Sequence, residues 1–167
     1  MGESSPRPLS EGESALVRKA FGDRIDLSRV RICHGSGGNP IAAVALRNND
    51  AIALIRTIFY RGDPLADFST TPRKHLLMHE MTHVWQYQTL GVPRFYLRYG
   101  REFAARKFNQ KAMYAYAAGD PFGKAMLEAQ ADMVCDYGRN AEGRAKAEAS
   151  LAGTGLYGLV DGPNPPV

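Results

Sequence analysis

An α+β fold, with a small N-terminal sheet packed on one core helix and a helical C-terminal half, is predicted by three features of the sequence. Runs with strand character, Arg29 to Cys33 and Ala51 to Tyr60, occur only in the first sixty residues. Helical signals take over from Thr71 onward. The length of 167 residues, with 44% hydrophobic and 23% charged residues, suits a single domain with its own core. The expected division is a flexible lead over residues 1–9, one domain over 10–152 and a Gly/Pro-rich tail over 153–167. There is no repeat, no heptad run and no apolar stretch approaching membrane-spanning length.

In chain order, Ser10 with Glu13 three residues on is a capping-box pattern, and it opens a helix that Gly22 stops. Arg29 to Cys33 alternates and reads as a strand. His34-Gly-Ser-Gly-Gly-Asn-Pro40 is a glycine-rich loop without the Gly-Lys-Ser/Thr ending of a phosphate-binding loop. His34 could approach a site from this loop, although a lone loop histidine more often has no such role. Ala51 to Tyr60, with Ile52, Leu54, Ile55, Ile58, Phe59 and Tyr60, is the strongest strand in the chain. Residues 61–71 are the loop into the next helix, where Thr71 is an N-cap candidate with Pro72 at the first helical position and Gly91 at the end.

That helix carries His79-Glu80-Met81-Thr82-His83. Two histidines four apart stand one turn above each other, so both imidazoles can reach one cation. Glu80 projects toward the same face and is the candidate general base, taking a proton from water activated by the metal. Leu76, Leu77, Met78, Met81, Val84 and Trp85 wrap more than one stripe, so this helix should run through the core. Polar, titratable side chains there need partners, and a metal supplies them. The best third ligand is Glu128. Asp132, four residues later on the same helical face, can accept the second ring N–H of a liganding histidine and fix its tautomer. His75 is an alternative third ligand, but three successive turns drift about 80° around a helix, too far for one ion to collect all three histidines.

Residues 94–111 hold Arg94, Arg98, Arg101, Arg106, Lys107 and Lys111 against Glu102 alone, an excess of +5 against the chain's net charge of +4, so the rest of the chain is nearly neutral. Phe95, Tyr99 and Phe103 recur every four residues, giving a core helix with a solvated basic back. The rival reading is an anionic-surface or nucleic-acid contact. No RNA- or DNA-binding signature accompanies it, so nucleic acid is not an expected partner. Tyr114 and Tyr116 have two readings: phenols lining a cleft, where one could donate to an oxyanion, or rings packing a helix junction. Pro121 is expected to begin the Glu128 helix, which runs to Tyr137. An alanine-rich helix follows over Ala141 to Leu151, and the tail from Gly153 is expected to be disordered or extended. Cys33 and Cys135 are too few and too far apart for a disulfide framework or a Cys-type zinc site, and buried thiols are the default.

HEMTHVWQYQ followed by Glu-x-x-x-Asp resembles the gluzincin branch of zinc metallopeptidases. More closely, it is similar to the small zinc peptidase domains associated with bacterial contractile-injection and toxin-delivery proteins. The preceding strand, Tyr114-x-Tyr116, the Gly119 to Phe122 turn and the Glu128 to Asp132 helix extend the likeness over roughly residues 25–140. Relatives often carry Glu where this chain has Asp132. The resemblance implies a zincin-like fold in which the strand beside the cleft is an edge that pairs with substrate. It also implies one Zn²⁺ per chain on His79, His83 and Glu128, with Glu80 as base, acting on a peptide or protein substrate. The first residues lack the basic start and apolar run of a signal peptide. Synthesis in the bacterial cytoplasm without export by the general secretory route is therefore expected, and the resemblance leaves delivery by a signal-independent secretion apparatus open. The alternative function is a non-catalytic, metal-stabilised module serving structure or delivery in such an apparatus.

Overall fold

The computed structural model describes residues 5–62 and 67–164. Residues 1–4 of the expected lead, 63–66 of the loop before the motif helix and 165–167 of the expected tail lie outside the described residues. Among the described residues the fold is α+β: a three-stranded sheet and six α-helices, four of which follow the sheet.

Helix α1 spans Glu11–Phe21. Its capping box is complete, with the Ser10 hydroxyl accepting from Glu13 N–H and the Glu13 carboxylate accepting from Ser10 N–H, and Gly22 ends it. Strand β1 is Arg31–His34. The glycine-rich loop then leads into a short helix, α2, over Pro40–Ala45, which the sequence reading did not anticipate. Asn39 caps it by accepting from Ile41 and Ala42 N–H, and Pro40 supplies the first turn.

Ala51 to Tyr60 is not one strand but a hairpin: β2 over Ala51–Leu54 and β3 over Thr57–Tyr60. The reversal is a three-residue turn in which Arg56 N–H donates to Leu54 O at 2.8 Å and Ile55 takes φ 60°. A β-branched residue at positive φ is an unusual choice for a turn, so the apolar run gave no turn signal. The sheet order is β1-β3-β2. β1 is parallel and β2 antiparallel to the central β3, and β2 is therefore an edge.

Helix α3, Lys74–Leu90, carries the two-histidine motif and packs on both β2 and the later helix α5, Leu127–Arg139. Thr71 does not cap α3. The helix begins at Lys74 with no side-chain cap, because residues 71–73 form a turn in which Lys74 N–H reaches Thr71 O. Gly91 ends α3 at φ 77°, a left-handed conformation that glycine adopts without strain, and the chain reverses directly into α4, Val92–Ala105. Pro121 begins only a 3-10 turn at Phe122–Lys124, and α5 starts at Leu127 after an extended Ala125. Helix α6 spans Ala141–Leu151, packed so tightly on α5 that a Cβ at Gly143 would collide with the Asp136 carbonyl.

The main core joins Val17 and Phe21 of α1, Ile32 and Ile58 of the sheet, Leu77, Met81 and Trp85 of α3, Met133 of α5 and Leu151 of α6. The described residues of both ends make contacts with the rest of the fold. Arg7 forms a backbone bridge with Ile32 and a bidentate ion pair with Glu13. Residues 153–164 fold back on α6, with Thr154 and Leu156 buried and the Asn164 amide donating to Ser150 and Ala152 carbonyls. Polar side chains that hydrogen-bond backbone take the place of an apolar stripe there, and composition does not show that. Cys33 and Cys135 are both buried as thiols. Among the described residues no helix is long and apolar enough to cross a membrane.

Candidate metal centre

The two histidines of α3 lean toward the first turn of α5. His79 Nε2 lies 3.2 Å and His83 Nε2 3.1 Å from one oxygen, Oε2, of Glu128. Ligand atoms of the three residues all fall within 4.8 Å of one another. A tetrahedral ion with bonds of about 2.0–2.1 Å separates its ligands by roughly 3.3–3.4 Å, close to the two histidine–carboxylate spacings.

The partners behind the ligands fix their chemistry. Gln86, one turn beyond His83, donates its amide N–H groups to Leu127 O and Gln130 Oε1, both at 3.0 Å. Its oxygen must therefore face His83 Nδ1, 2.8 Å away, and that nitrogen carries the proton. Asp132 Oδ1 does the same for His79 Nδ1 at 2.9 Å. With both protons on Nδ1, both Nε2 atoms turn lone pairs toward a carboxylate oxygen. Tyr99 donates its hydroxyl to the other oxygen, Glu128 Oε1, at 3.0 Å. Lone pairs facing an anion in a buried space need a positive charge between them.

The titration behaviour points the same way. Burial works against ionised His79, yet its hydrogen bonds to Asp132 and Glu128 outweigh this and hold it well above the usual imidazole range. His83 is raised too, as the Glu128 charge overcomes burial. Glu128 is held far below the usual carboxylate range, its own burial outweighed by the two imidazoles. Without a metal the site would recruit protons, and a divalent cation supplies the same charge without them. His79, His83 and Glu128 therefore fit a zinc ion by donor type, spacing and charge.

Glu80 is 5% exposed and lines the same cavity as the three ligand residues. Burial pushes its carboxyl up, with the two histidines opposing, and its carboxylate accepts from the edge strand at Ala53 N–H. The cavity, about 200 Å³, runs between β2 and α4, with Tyr87, Phe95, Tyr96 and Tyr99 on its far wall. Of the stripe expected to be core on α4, Phe95 packs into a small core cluster and also lines this cavity, Tyr99 lines it too, and Phe103 does not. Arg98 reaches Glu102 at 2.7 Å and Ala125 O at 2.6 Å, and Glu102 accepts from Leu127 N–H at 2.8 Å. One of the six cations of residues 94–111 thus clamps the start of α5. Glu128 sits in that first turn, where the helix dipole favours a carboxylate.

Of the remaining candidates, Tyr114 joins the site. Its ring stacks on His79 with centroids 5.8 Å apart, and it lines the cavity. Burial and the surrounding carboxylates raise its phenol, so it keeps a proton to donate. Tyr116 does not line the cavity; its hydroxyl donates to Asp136 at 2.8 Å and Lys146 lies over its ring. His34 packs edge-on against Tyr60 at the end of β1, separated from β2 by the central strand. His75 hydrogen-bonds Pro72 O and is not among the converging ligands. Gln86 and Tyr99 were missed by the sequence reading. His83-x-x-Gln86 at helical spacing was an available signal for the first, whereas nothing in the sequence marked Tyr99.

The profile of the eCIS core domain family matches residues 8–91, half of the chain. The type VI secretion system spike protein VgrG2b of Pseudomonas aeruginosa is 36% identical over 156 residues, which are 88% of this chain and 14% of that protein. The chain thus spans a small part of that curated relative. The solved effector domain of Pseudomonas aeruginosa VgrG2b superposes with a TM-score of 0.66 at 34% identity, covering 89% of this chain and 83% of that one. These likenesses tie the chain to proteins of secretion and contractile-injection systems.

Proposed function

The chain belongs to the eCIS core domain family, and on that footing we propose that it is a zinc-dependent peptidase with a zincin-like fold, delivered by a secretion or contractile-injection apparatus. The observation that carries the reading is the pair of Nε2 lone pairs aimed at one oxygen of Glu128 beside the buried carboxyl of Glu80. When bound, the ion supplies Lewis-acid polarisation of a carbonyl and lowers the pKa of water.

The chain's own residues do the rest. Asp132 and Gln86 hold the two imidazoles in the ligating tautomer, and Tyr99 fixes the Glu128 carboxylate. Glu80, its carboxyl raised by burial, takes the proton of the attacking water and passes it to the leaving amine. Tyr114, protonated and above His79, donates to the oxygen on which charge develops. Register places the substrate. Asp50 O accepts from Arg61 N–H, and Ile52 and Leu54 pair with Phe59 and Thr57. Ala51 and Ala53 therefore turn their backbone groups to the outer edge; Ala53 N–H meets Glu80 there, and an extended peptide can add as a strand to the other groups.

A structural zinc site normally closes with four protein ligands, and among the described residues this group has three. That favours catalysis over the metal-stabilised module. Glu80→Gln should retain one zinc per chain and lose about 10²- to 10⁴-fold in turnover of an unfolded protein substrate, followed by gel and mass spectrometry. Undiminished turnover in that variant would refute the assignment.

A further inference from the structure

The cleft beside the triad has two unlike arms that share Asn49, Ala51, His79, Glu80 and Tyr114. One arm follows β2 toward Leu54 and is walled by Ile41, Leu54, Tyr87, Phe95, Tyr96 and Tyr99. The other runs back from Ala51 toward Asn48 and is lined by Asp50, His75, Asp132 and Arg139. The apolar arm lies between two lips, α2 and α4, that leave apolar side chains uncovered. Ile41, 61% exposed, stands on one lip, and Tyr96, 46% exposed, on the other. Scattered apolar residues are ordinary on a surface, but apolar residues on both lips of one cavity form a patch that needs an occupant.

The edge strand gives that occupant a direction. Antiparallel pairing is the more stable arrangement, and it sets the N-terminal part of an added peptide beside Leu54 and its C-terminal part beside Asn49. The apolar arm then receives residues that precede the bond lying over the triad, and the polar arm those that follow it. We infer that the site selects extended peptides carrying a bulky apolar residue, above all an aromatic one, within the two positions before the cut, and polar residues after it. This rests on the peptidase reading and adds a substrate class to it.

Zinc-loaded protein would be incubated with peptides from a digested bacterial proteome, and cleavage sites read by mass spectrometry. Expected is a roughly tenfold enrichment of Phe, Tyr, Trp, Leu and Met in the two positions before the cut, shrinking several-fold when Ile41→Ser and Tyr96→Ala are combined. Ile41 is largely and Tyr96 about half exposed, and a thermal melt of the double variant checks that it folds. A second readout needs no turnover. Zinc-loaded Glu80→Gln protein is titrated with two fluorescein-labelled heptapeptides that differ only in Phe or Ser at the third residue. The Phe peptide should bind about tenfold tighter, and the combined lip variants should narrow that ratio. Equal binding of the two peptides, or cleavage with no apolar preference, overturns the inference and leaves a peptidase of other specificity. Failure of zinc-loaded wild type to cut any peptide overturns the peptidase reading, and the inference with it.

Discussion

Glu13 and Glu128 are both almost fully buried on helices, and the chain treats them in opposite ways. Around Glu13 every partner is a donor: the Arg7 guanidinium at 2.8 Å to both oxygens, Ser10 N–H at 2.9 Å and Phe68 N–H at 3.0 Å. Around Glu128 one oxygen has a donor, Tyr99, while the other faces two imidazole nitrogens whose protons are held elsewhere. A buried carboxylate surrounded by donors holds structure together, here the lead, α1 and the segment at Phe68. One surrounded by lone pairs is half of a binding site, and what it lacks is a cation.

Separate damage to the two carboxylates tests that contrast. The largest expected effect is on Glu13. Glu13→Gln leaves Arg7 without its anion and should destabilise the fold by on the order of 3 kcal/mol in chemical denaturation, with or without zinc. Next, free zinc at a hundred times its dissociation constant should stabilise wild type and Glu13→Gln by about 2.7 kcal/mol each and leave Glu128→Ala unmoved.

The pH dependence should differ in sign. Burial opposes ionised Glu13, but its hydrogen bonds outweigh this and lower it below its ordinary 4.5. Its stabilisation is complete above that value and is lost as pH falls through the lowered one. In metal-free protein the raised histidines act the other way. Their contribution is complete below 6.5 and is lost as pH rises through their raised values. Denaturation of metal-free protein across pH 3–9 should show both limbs, each no steeper than about 1.4 kcal/mol per pH unit for each titrating group. Glu13→Gln should flatten the acid limb, which Glu128, lowered by the two imidazoles, keeps in part, and leave the other limb unchanged. The smallest effect is the finest: Tyr99→Phe removes one hydroxyl from Glu128 and should weaken zinc binding about tenfold, measured by competition with a chelator.

What the sequence disclosed follows from the range of each signal. His79 and His83 were legible because four residues of helix fix their geometry, and Glu128 with Asp132 for the same reason. The complete capping box at Ser10 and the limits of α6 were equally local. The hairpin hidden in Ala51 to Tyr60 was not, since a continuous apolar run describes a strand and a tight turn built on Ile55 alike. Tyr99 was concealed because an aromatic every fourth residue looks identical whether it packs a core or walls a cavity. Only the fold of α4 over α5 distinguishes the two. The ordering of residues 153–164 depends on the Asn164 amide meeting the end of α6, a contact between segments. Local periodicity says nothing about such meetings.

Glu128, unlike Glu13, is buried to complete a cation site. Elemental analysis of zinc in purified wild type, Glu128→Ala and Glu13→Gln tests it most directly. The account predicts about one zinc per chain in wild type and in Glu13→Gln, and none in Glu128→Ala. Zinc retained by Glu128→Ala at the wild-type level, or absent from wild type after zinc is added back, would contradict it.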